Sequence, residues 1–287
     1  MAKAAATSVF KKGLFSGKNA IVSGGGTGIG KAIAAELLYL GCNVIICSRK
    51  ETVLNEAVKH LENAFCKNSG SSISSIVCNI RKEDQVDHLI QSAVDKYGKV
   101  DFLVNNGGGQ FLGKLSDITL KGWQAVLETN LTGTFLMCQK VYQKSMQKHG
   151  GQIVNITMDH ERGFPLMGHS AASRSGVTNL TKTMAVEWAA DGVRVNCVAP
   201  GNAIYSKTAI ENYDSSAVFE HAREQNPSKR LGTPEEISSA VCFLLSPGSS
   251  FISGHTLFVD SASSLYRSGG IPIPEHENLP AYKWQSS

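Results

Sequence analysis

Long apolar runs are missing from this chain of 287 residues. Nowhere do about 18 apolar residues follow one another, the length a helix needs to cross a bilayer, so no membrane span is expected. Basic blocks are missing too. Lys and Arg number 28 against 24 Asp and Glu, a net charge of +4, and no five of them run together, which leaves out the footprint of a nucleic-acid binder. The seven cysteines (Cys42, Cys47, Cys66, Cys78, Cys138, Cys197, Cys242) form no CxxC pair and have no histidine at metal-ligand spacing. Neither a zinc site nor a disulfide framework is read from them, and no metal is expected. Buried, reduced thiols in an intracellular compartment are the expectation. No internal repeat is visible. Composition excludes disorder as well: 42% hydrophobic and 18% charged residues suit one large globular α/β domain.

What the chain does have is glycine at informative places. Ser23 to Lys31 reads SGGGTGIGK, directly after the apolar run Asn19 to Val22 and before a helical pattern (Ile33, Ala34, Leu37, Leu38). Strand, glycine turn and helix follow in the order that a dinucleotide site needs, so a nucleotide is the first partner expected. Gly24 permits the tight turn, Gly28 lets the backbone approach a pyrophosphate, and Gly30 lets the helix pack on the strand. Gly26, Thr27 and Ile29 lie within the same turn, where free N–H groups at the helix start face the phosphate.

Short apolar strands then alternate with helical patterns. Strands are expected at Asn43 to Cys47, Ile76 to Cys78, Phe102 to Asn105, Ile153 to Ile156, Arg194 to Val198 and Thr256 to Val259. Helices are expected near Glu51 to Ala64, Asp84 to Tyr97, Lys121 to Lys148, Ala171 to Ala189 and Pro234 to Leu245, and Lys67 to Ser75 reads as a loop. Right-handed βαβ crossovers and a doubly wound parallel sheet, a Rossmann fold, follow from this alternation. Residues 1–263 form that domain, with 202–229 as a substrate lid over the crevice; 264–287, which holds Pro272, Pro274 and Pro280, reads as an extended arm.

Five motifs in order identify a resemblance: SGGGTGIG (Ser23 to Gly30), LVNNGGG (Leu103 to Gly109), Asn130 in TNLTGTF, VNIT (Val154 to Thr157) and VNCVAPG (Val195 to Gly201). Over about Leu14 to Val259 the chain resembles the short-chain dehydrogenase/reductases. Within them NNGGGQFL, KGWQAVLETNLTGTF and IYSKTAIENY are similar to the peroxisomal trans-2-enoyl-CoA reductases, with the 2,4-dienoyl-CoA reductases next. The resemblance implies hydride transfer from NADPH to an unsaturated fatty acyl-CoA in a homodimer or homotetramer, formed through the helices at Lys121 to Lys148 and Ala171 to Ala189.

The cofactor preference has a physical basis too. A 2′-phosphate needs positive charge about 20 residues after the glycine turn, where an NAD site has an acid. Ser48, Arg49 and Lys50 stand there with no acid before them, so NADPH is expected. By resemblance, Asn79 and Ile80 lie beside the adenine, Asn106, Gly107 and Gly108 follow the fourth strand along the cofactor, and Pro200 with Gly201 positions the nicotinamide.

At the catalytic helix the family pattern breaks. The family's Tyr and Lys, spaced YxxxK, fall on Ser170 and Arg174, and its supporting Ser falls on Thr157 or Met158, while Asn130 is retained. Some of the similar enoyl-CoA reductases carry a Tyr one turn beyond the Arg, where this chain has Thr178. Matched to the dienoyl reductases, Gln110 and Asp159 stand at further substrate positions, with Phe111 beside Gln110. Reducing a conjugated thioester requires an oxyanion donor more than a strong acid at the carbonyl, a task open to Ser170 and Arg174. Tyr205 at the crevice mouth is a second proton candidate, or a packing residue of the lid. His160 and His169 flank the site and read first as packing or surface groups, as do Thr178 and Lys182. Three readings stay open: an NADPH-dependent enoyl-CoA reductase, a diverged reductase of another enone or carbonyl compound, and a cofactor-binding scaffold without turnover. Location stays open as well. The resemblance suggests peroxisomes, but Trp284 to Ser287 is no SKL-type signal, so the cytoplasm is an equal expectation. The first 35 residues hold five lysines (Lys3, Lys11, Lys12, Lys18, Lys31) and no acid, as transit peptides do, yet a strand starting near Asn19 leaves little to cleave.

Overall fold

Side chains alternate faces along a strand, and in this chain both faces are apolar. Ala20, Val22, Val44, Ile46, Phe102, Val104 and Val154 point to one buried layer; Ile21, Ile45, Leu103, Ile153 and Val195 point to the other. A strand covered on both sides belongs inside a parallel sheet. In the computed structural model, which describes residues 8–66, 70–201, 204, 216–266 and 272–282, seven strands form that sheet. They are β1 (Asn19–Ser23), β2 (Asn43–Ser48), β3 (Ile73–Val77), β4 (Phe102–Asn105), β5 (Gly151–Ile156), β6 (Val193–Pro200) and β7 (Thr256–Val259). Their order is β3-β2-β1-β4-β5-β6-β7, and every pairing is parallel. Strand order reverses between β1 and β4, which opens a crevice at their carboxyl ends.

Helices α1 (Gly28–Tyr39), α2 (Glu51–Leu61) and α9 (Pro234–Leu245) cover one face, packing Ile33, Leu37, Leu54, Ile237 and Val241 against it. On the other face lie α3 (Glu83–Tyr97), α5 (Gly133–Val141) and α7 (Gly168–Glu187), with Leu89, Met137, Val141 and Met184. Each fully buried aliphatic side chain of this kind contributes about 1.5–3 kcal/mol. The doubly wound fold read from the sequence is the fold observed.

Two expectations are corrected. Strand β3 starts at Ile73, inside the stretch read as a loop, and ends at Val77. It is an edge strand paired only with β2, so Ser74 and Ser75 face water on a half-exposed strand. The region expected as one helix over 121–148 is a continuous helical path in five pieces. These are α4 (Leu120–Leu127), a wide turn at Glu128–Thr132, α5, a second wide turn at Tyr142–Met146, and α6 (Gln147–His149). The wide turns bond i to i+5, an inserted residue that apolar periodicity does not reveal.

Within the segment read as a lid, α8 (Ser216–Gln225) is described, while 202–203 and 205–215 lie outside the described residues. The described parts of the arm, 264–266 and 272–282, have neither helix nor strand, and the second is held by bonds to its neighbours. His276 Nε2 meets the Pro227 carbonyl at 3.0 Å, Thr233 Oγ1 donates to the Tyr282 carbonyl at 2.8 Å, and the Tyr282 N–H donates to Glu236 at 3.2 Å. Among the described residues no helix is long and apolar enough to cross a membrane, and no three His, Cys, Asp or Glu are placed to hold a metal ion. The seven cysteines are all unpaired; six are buried and Cys66 is half-buried.

Candidate active site

The glycine turn closes the crevice end of β1. Gly24 has φ +66 and Gly28 φ +51, backbone conformations that side chains resist. At Gly30 a Cβ would come within 2.3 Å of the Gly24 carbonyl, so only glycine lets α1 approach the strand this closely. Asn106 staples the turn to β4: its Nδ2 donates to the Ser23 carbonyl at 3.1 Å, and Ser23 Oγ accepts the N–H groups of Asn106 and Gly107 at 3.1 and 2.9 Å. Thr27, exposed at the start of α1, places no side-chain cap on the first turn, and no acid stands there. Helix dipole and unshared N–H groups together suit an anion. Ile29 follows in that first turn.

At the end of the neighbouring strand β2, Ser48 Oγ is buried and has no hydrogen-bond partner. Arg49 and Lys50 follow it, both exposed. A buried hydroxyl without a partner costs about 1–3 kcal/mol unless something supplies one. A dinucleotide phosphate at this edge would supply one, so the residues present fit such a cofactor. Asn79 is occupied at two atoms: its Oδ1 accepts the Arg81 N–H at 3.2 Å and its own N–H donates to Gln85 at 2.8 Å. Ile80 packs under Gly107 and Gly133. Pro200 and Gly201 end β6, with the Gly201 N–H bonded to the Val259 carbonyl at 3.1 Å.

Helix α7 carries Ser170, Arg174 and Thr178 one turn apart, all three buried. Arg174 Nη1 donates to the Ile156 carbonyl at 2.8 Å, and its other nitrogen lies where a Cβ on Gly108 would be, 2.2 Å away. Burial lowers its pKa to about 10, which leaves it charged at neutral pH, and no carboxylate pairs with it among the described residues. Ser170 Oγ donates to Gln110 Oε1 at 2.7 Å, with the Met158 sulfur at 3.8 Å on its other side. Thr157 is turned away and bonds the Val198 carbonyl.

Asn130 sits in the first wide turn with both ends of its amide in use. Its Oδ1 accepts the Gly109 N–H at 2.9 Å, and its Nδ2 donates to Ser173 Oγ at 3.2 Å, which in turn donates to the Ser170 carbonyl. It therefore ties the loop after β4 to the start of α7. Phe111 lies edge-on to His169, ring centres 4.4 Å apart, and His169 is buried with neither ring nitrogen bonded. Asp159 is half-buried and accepts the Glu161 N–H; no hydrogen bond joins it to Ser170 or Arg174 among the described residues. Lys182 is exposed, and Tyr205 lies outside the described residues.

Sequence reasoning missed a buried polar ladder beneath the site. Asn105 donates to Asn155, Asn155 to Thr181, and the Cys197 thiol to the same threonine, at 2.8, 2.8 and 3.2 Å. Asn105 and Asn155 are register partners on β4 and β5, so the repeated Asn of LVNN and VNIT was its visible signal. Missed too was the bond between His160 and Thr178, for which spacing gives no sign.

Known proteins resemble this chain over most of its length. A family model described as enoyl-(acyl carrier protein) reductase matches residues 24–262. The peroxisomal 2,4-dienoyl-CoA reductase of Rattus norvegicus is 34% identical over 259 residues, 89% of this chain and 86% of its own length. The 3-oxoacyl-acyl-carrier-protein reductase of Synechocystis is 34% identical over 249 residues, covering 86% and 97%. Among solved structures, the citronellol catabolism dehydrogenase of Pseudomonas aeruginosa PAO1 superposes with a TM-score of 0.79 at 43% identity, over 90% of this chain and all of the other. The chain belongs to the short-chain dehydrogenase/reductase family of nicotinamide-dependent oxidoreductases.

Proposed function

We propose that the protein is an NADPH-dependent reductase of the C2=C3 double bond of a trans-2-enoyl-CoA. The observation that carries this reading is the buried, unpaired Arg174 one turn from Ser170, where a carbonyl dehydrogenase needs a Tyr–Lys pair to protonate an alkoxide. Arginine cannot readily give a proton, but its charge stabilises an enolate oxygen, and the Ser170 hydroxyl can turn from Gln110 to that oxygen. Similarity to an acyl-CoA reductase supports the same substrate class.

When bound, NADPH supplies the hydride. Gly24, Gly26, Thr27, Gly28, Ile29 and Gly30 hold its pyrophosphate at the start of α1, and Ser48, Arg49 and Lys50 hold the 2′-phosphate. Asn79 and Ile80 border the adenine. Asn106, Gly107, Gly108 and Arg174 line the nicotinamide ribose, with Pro200 and Gly201 beyond. Gln110, Phe111 and Asp159 border the substrate, Asn130 keeps the loop of the first two in place, and Tyr205, outside the described residues, stays a second proton candidate. A homodimer or homotetramer is part of the reading, with Phe135 on α5 and Val186 on α7 exposed for the contact.

A second reading, reduction or oxidation of a different enone or carbonyl compound, is favoured by the 43% identity to a dehydrogenase of citronellol catabolism. The experiment that separates them follows NADPH oxidation against enoyl-CoAs of short, medium and long chain beside enones lacking CoA. Turnover confined to the thioesters supports the first reading and turnover confined to the others supports the second. Tight NADPH binding with no oxidation of either set points to a scaffold.

A further inference from the structure

Reduction of an enoyl thioester needs a proton at C2, and the groups gathered around Ser170 serve the enolate oxygen or the loop rather than that carbon. Ser170 gives its hydroxyl hydrogen to Gln110, Arg174 stays charged and bonds the Ile156 carbonyl, and Asn130 is bonded at both ends. Two residues beyond Met158, whose sulfur lies 3.8 Å from Ser170 Oγ, His160 turns its Nε2 to 2.7 Å from Thr178 Oγ1. That is the separation of a strong hydrogen bond. Thr178 is only 8% exposed and continues the stripe of Ser170 and Arg174, about 6 Å along α7 from the arginine. His160 arrives from the loop after β5, the strand whose last residue, Ile156, holds Arg174 through its carbonyl. The imidazole is half-buried, so Thr178 fixes one nitrogen while water reaches the ring.

We propose that His160, oriented by Thr178, is the proton source of the reduction; this inference rests on the enoyl thioester reading above. Once hydride from the reduced nicotinamide has added at C3, the C2=C3 electron pair moves to form an enolate. The N–H bond of the His160 imidazolium then breaks, a C–H bond forms at C2, and the enolate returns to a thioester carbonyl. Neutral imidazole is left and regains its proton from water. Each turnover consumes one hydride and one proton. Histidine is the side chain most often used for a proton transfer of this kind. Charged and titratable groups around the pair are Asp159, Glu161 and Arg162 on its own loop, Arg174 on α7 and Cys197 on β6, which Thr178 also touches. His160 is thus the catalytic residue and Thr178 the positioning residue.

The test uses the full chain and two readouts. First, the His160 imidazole resonance, assigned by its loss in His160→Gln, is followed as NADPH and then butyryl-CoA are added. Its chemical shift at fixed pH is expected to change on each addition, because cofactor and acyl chain close around the ring. Second, trans-2-enoyl-CoA reduction is measured across pH. His160→Gln is expected to lower kcat about 100-fold and to remove the alkaline limb, with NADPH affinity unchanged. Thr178→Val lowers kcat less, and Thr178→Ser recovers it. A His160→Gln kcat within about threefold of the parent, with the limb intact, overturns the proposal. If the parent protein reduces no enoyl-CoA, the substrate reading fails and the resonance decides the inference: a chemical shift changed by NADPH keeps His160 in the site, and an unchanged one removes it.

Discussion

Arg174 carries a positive charge into a place with little water and no carboxylate to meet it. Holding an ion there costs several kcal/mol, and a function for the charge explains why the cost is carried. Its position depends on a glycine. Gly108→Ala would push a methyl group into the guanidinium, 2.2 Å from its nitrogen, so activity is expected to fall about 100-fold while thermal stability changes little. Ser48 makes a second residue-scale prediction. Its unpartnered hydroxyl is the neutral member of the Ser48–Arg49–Lys50 group, and Ser48→Ala is expected to weaken NADPH about tenfold and leave NADH unaffected. Equal loss for both cofactors in a binding titration would contradict the assignment. His169 makes a third. Both of its ring nitrogens are buried and unbonded against Phe111, so His169→Leu is expected to raise stability by about 1 kcal/mol in denaturant unfolding.

At the scale of elements, the end of β7 stores backbone strain. Ser261 and Ala262 have φ +55 and +64, a region that favours glycine, and the Asp260 carboxylate holds the turn through the N–H groups of Ala262 and Ser264. Ser261→Gly and Ala262→Gly are each expected to stabilise by about 1 kcal/mol, read as a higher Tm. How much of the site was legible varies by element in the same physical way. Strands β1, β4 and β7 and helix α9 were readable because their apolar faces are continuous. Strand β3 was hidden because an edge strand tolerates serine, and the wide turn around Asn130 because an inserted residue leaves composition unchanged. The glycine turn and the pair of Ser170 and Arg174 were visible as motifs. The partners that commit them, Gln110 for Ser170 and Ser173 for Asn130, come from tertiary packing that spacing does not encode.

Across the whole molecule, the arm fastens the end of α8 and the turn after it to α9. Glu275 reaches Arg223 and Lys229, the Arg230 guanidinium bonds both Glu236 and the Leu279 carbonyl, and Tyr282 closes on Glu236. Burial pushes the Glu236 carboxyl up, but Arg230 and the N–H groups of Thr233 and Tyr282 together hold it below the usual carboxylate range. Because the folded pKa is depressed, this attachment is at full strength above the ordinary carboxylate value near 4.3 and is lost as pH falls through the folded value. Limited proteolysis should therefore leave the arm intact at neutral pH and cut it in acid. Glu236→Gln should make it sensitive at neutral pH.

The central claim, that a buried arginine and a serine replace the Tyr–Lys pair in order to reduce a conjugated double bond, is tested most directly by the product formed from trans-2-hexenoyl-CoA with NADPH. Hexanoyl-CoA formed in step with NADPH oxidation, and lost in Arg174→Ala, is the predicted result. No saturated product from any enoyl-CoA, in protein that binds NADPH tightly, would contradict it.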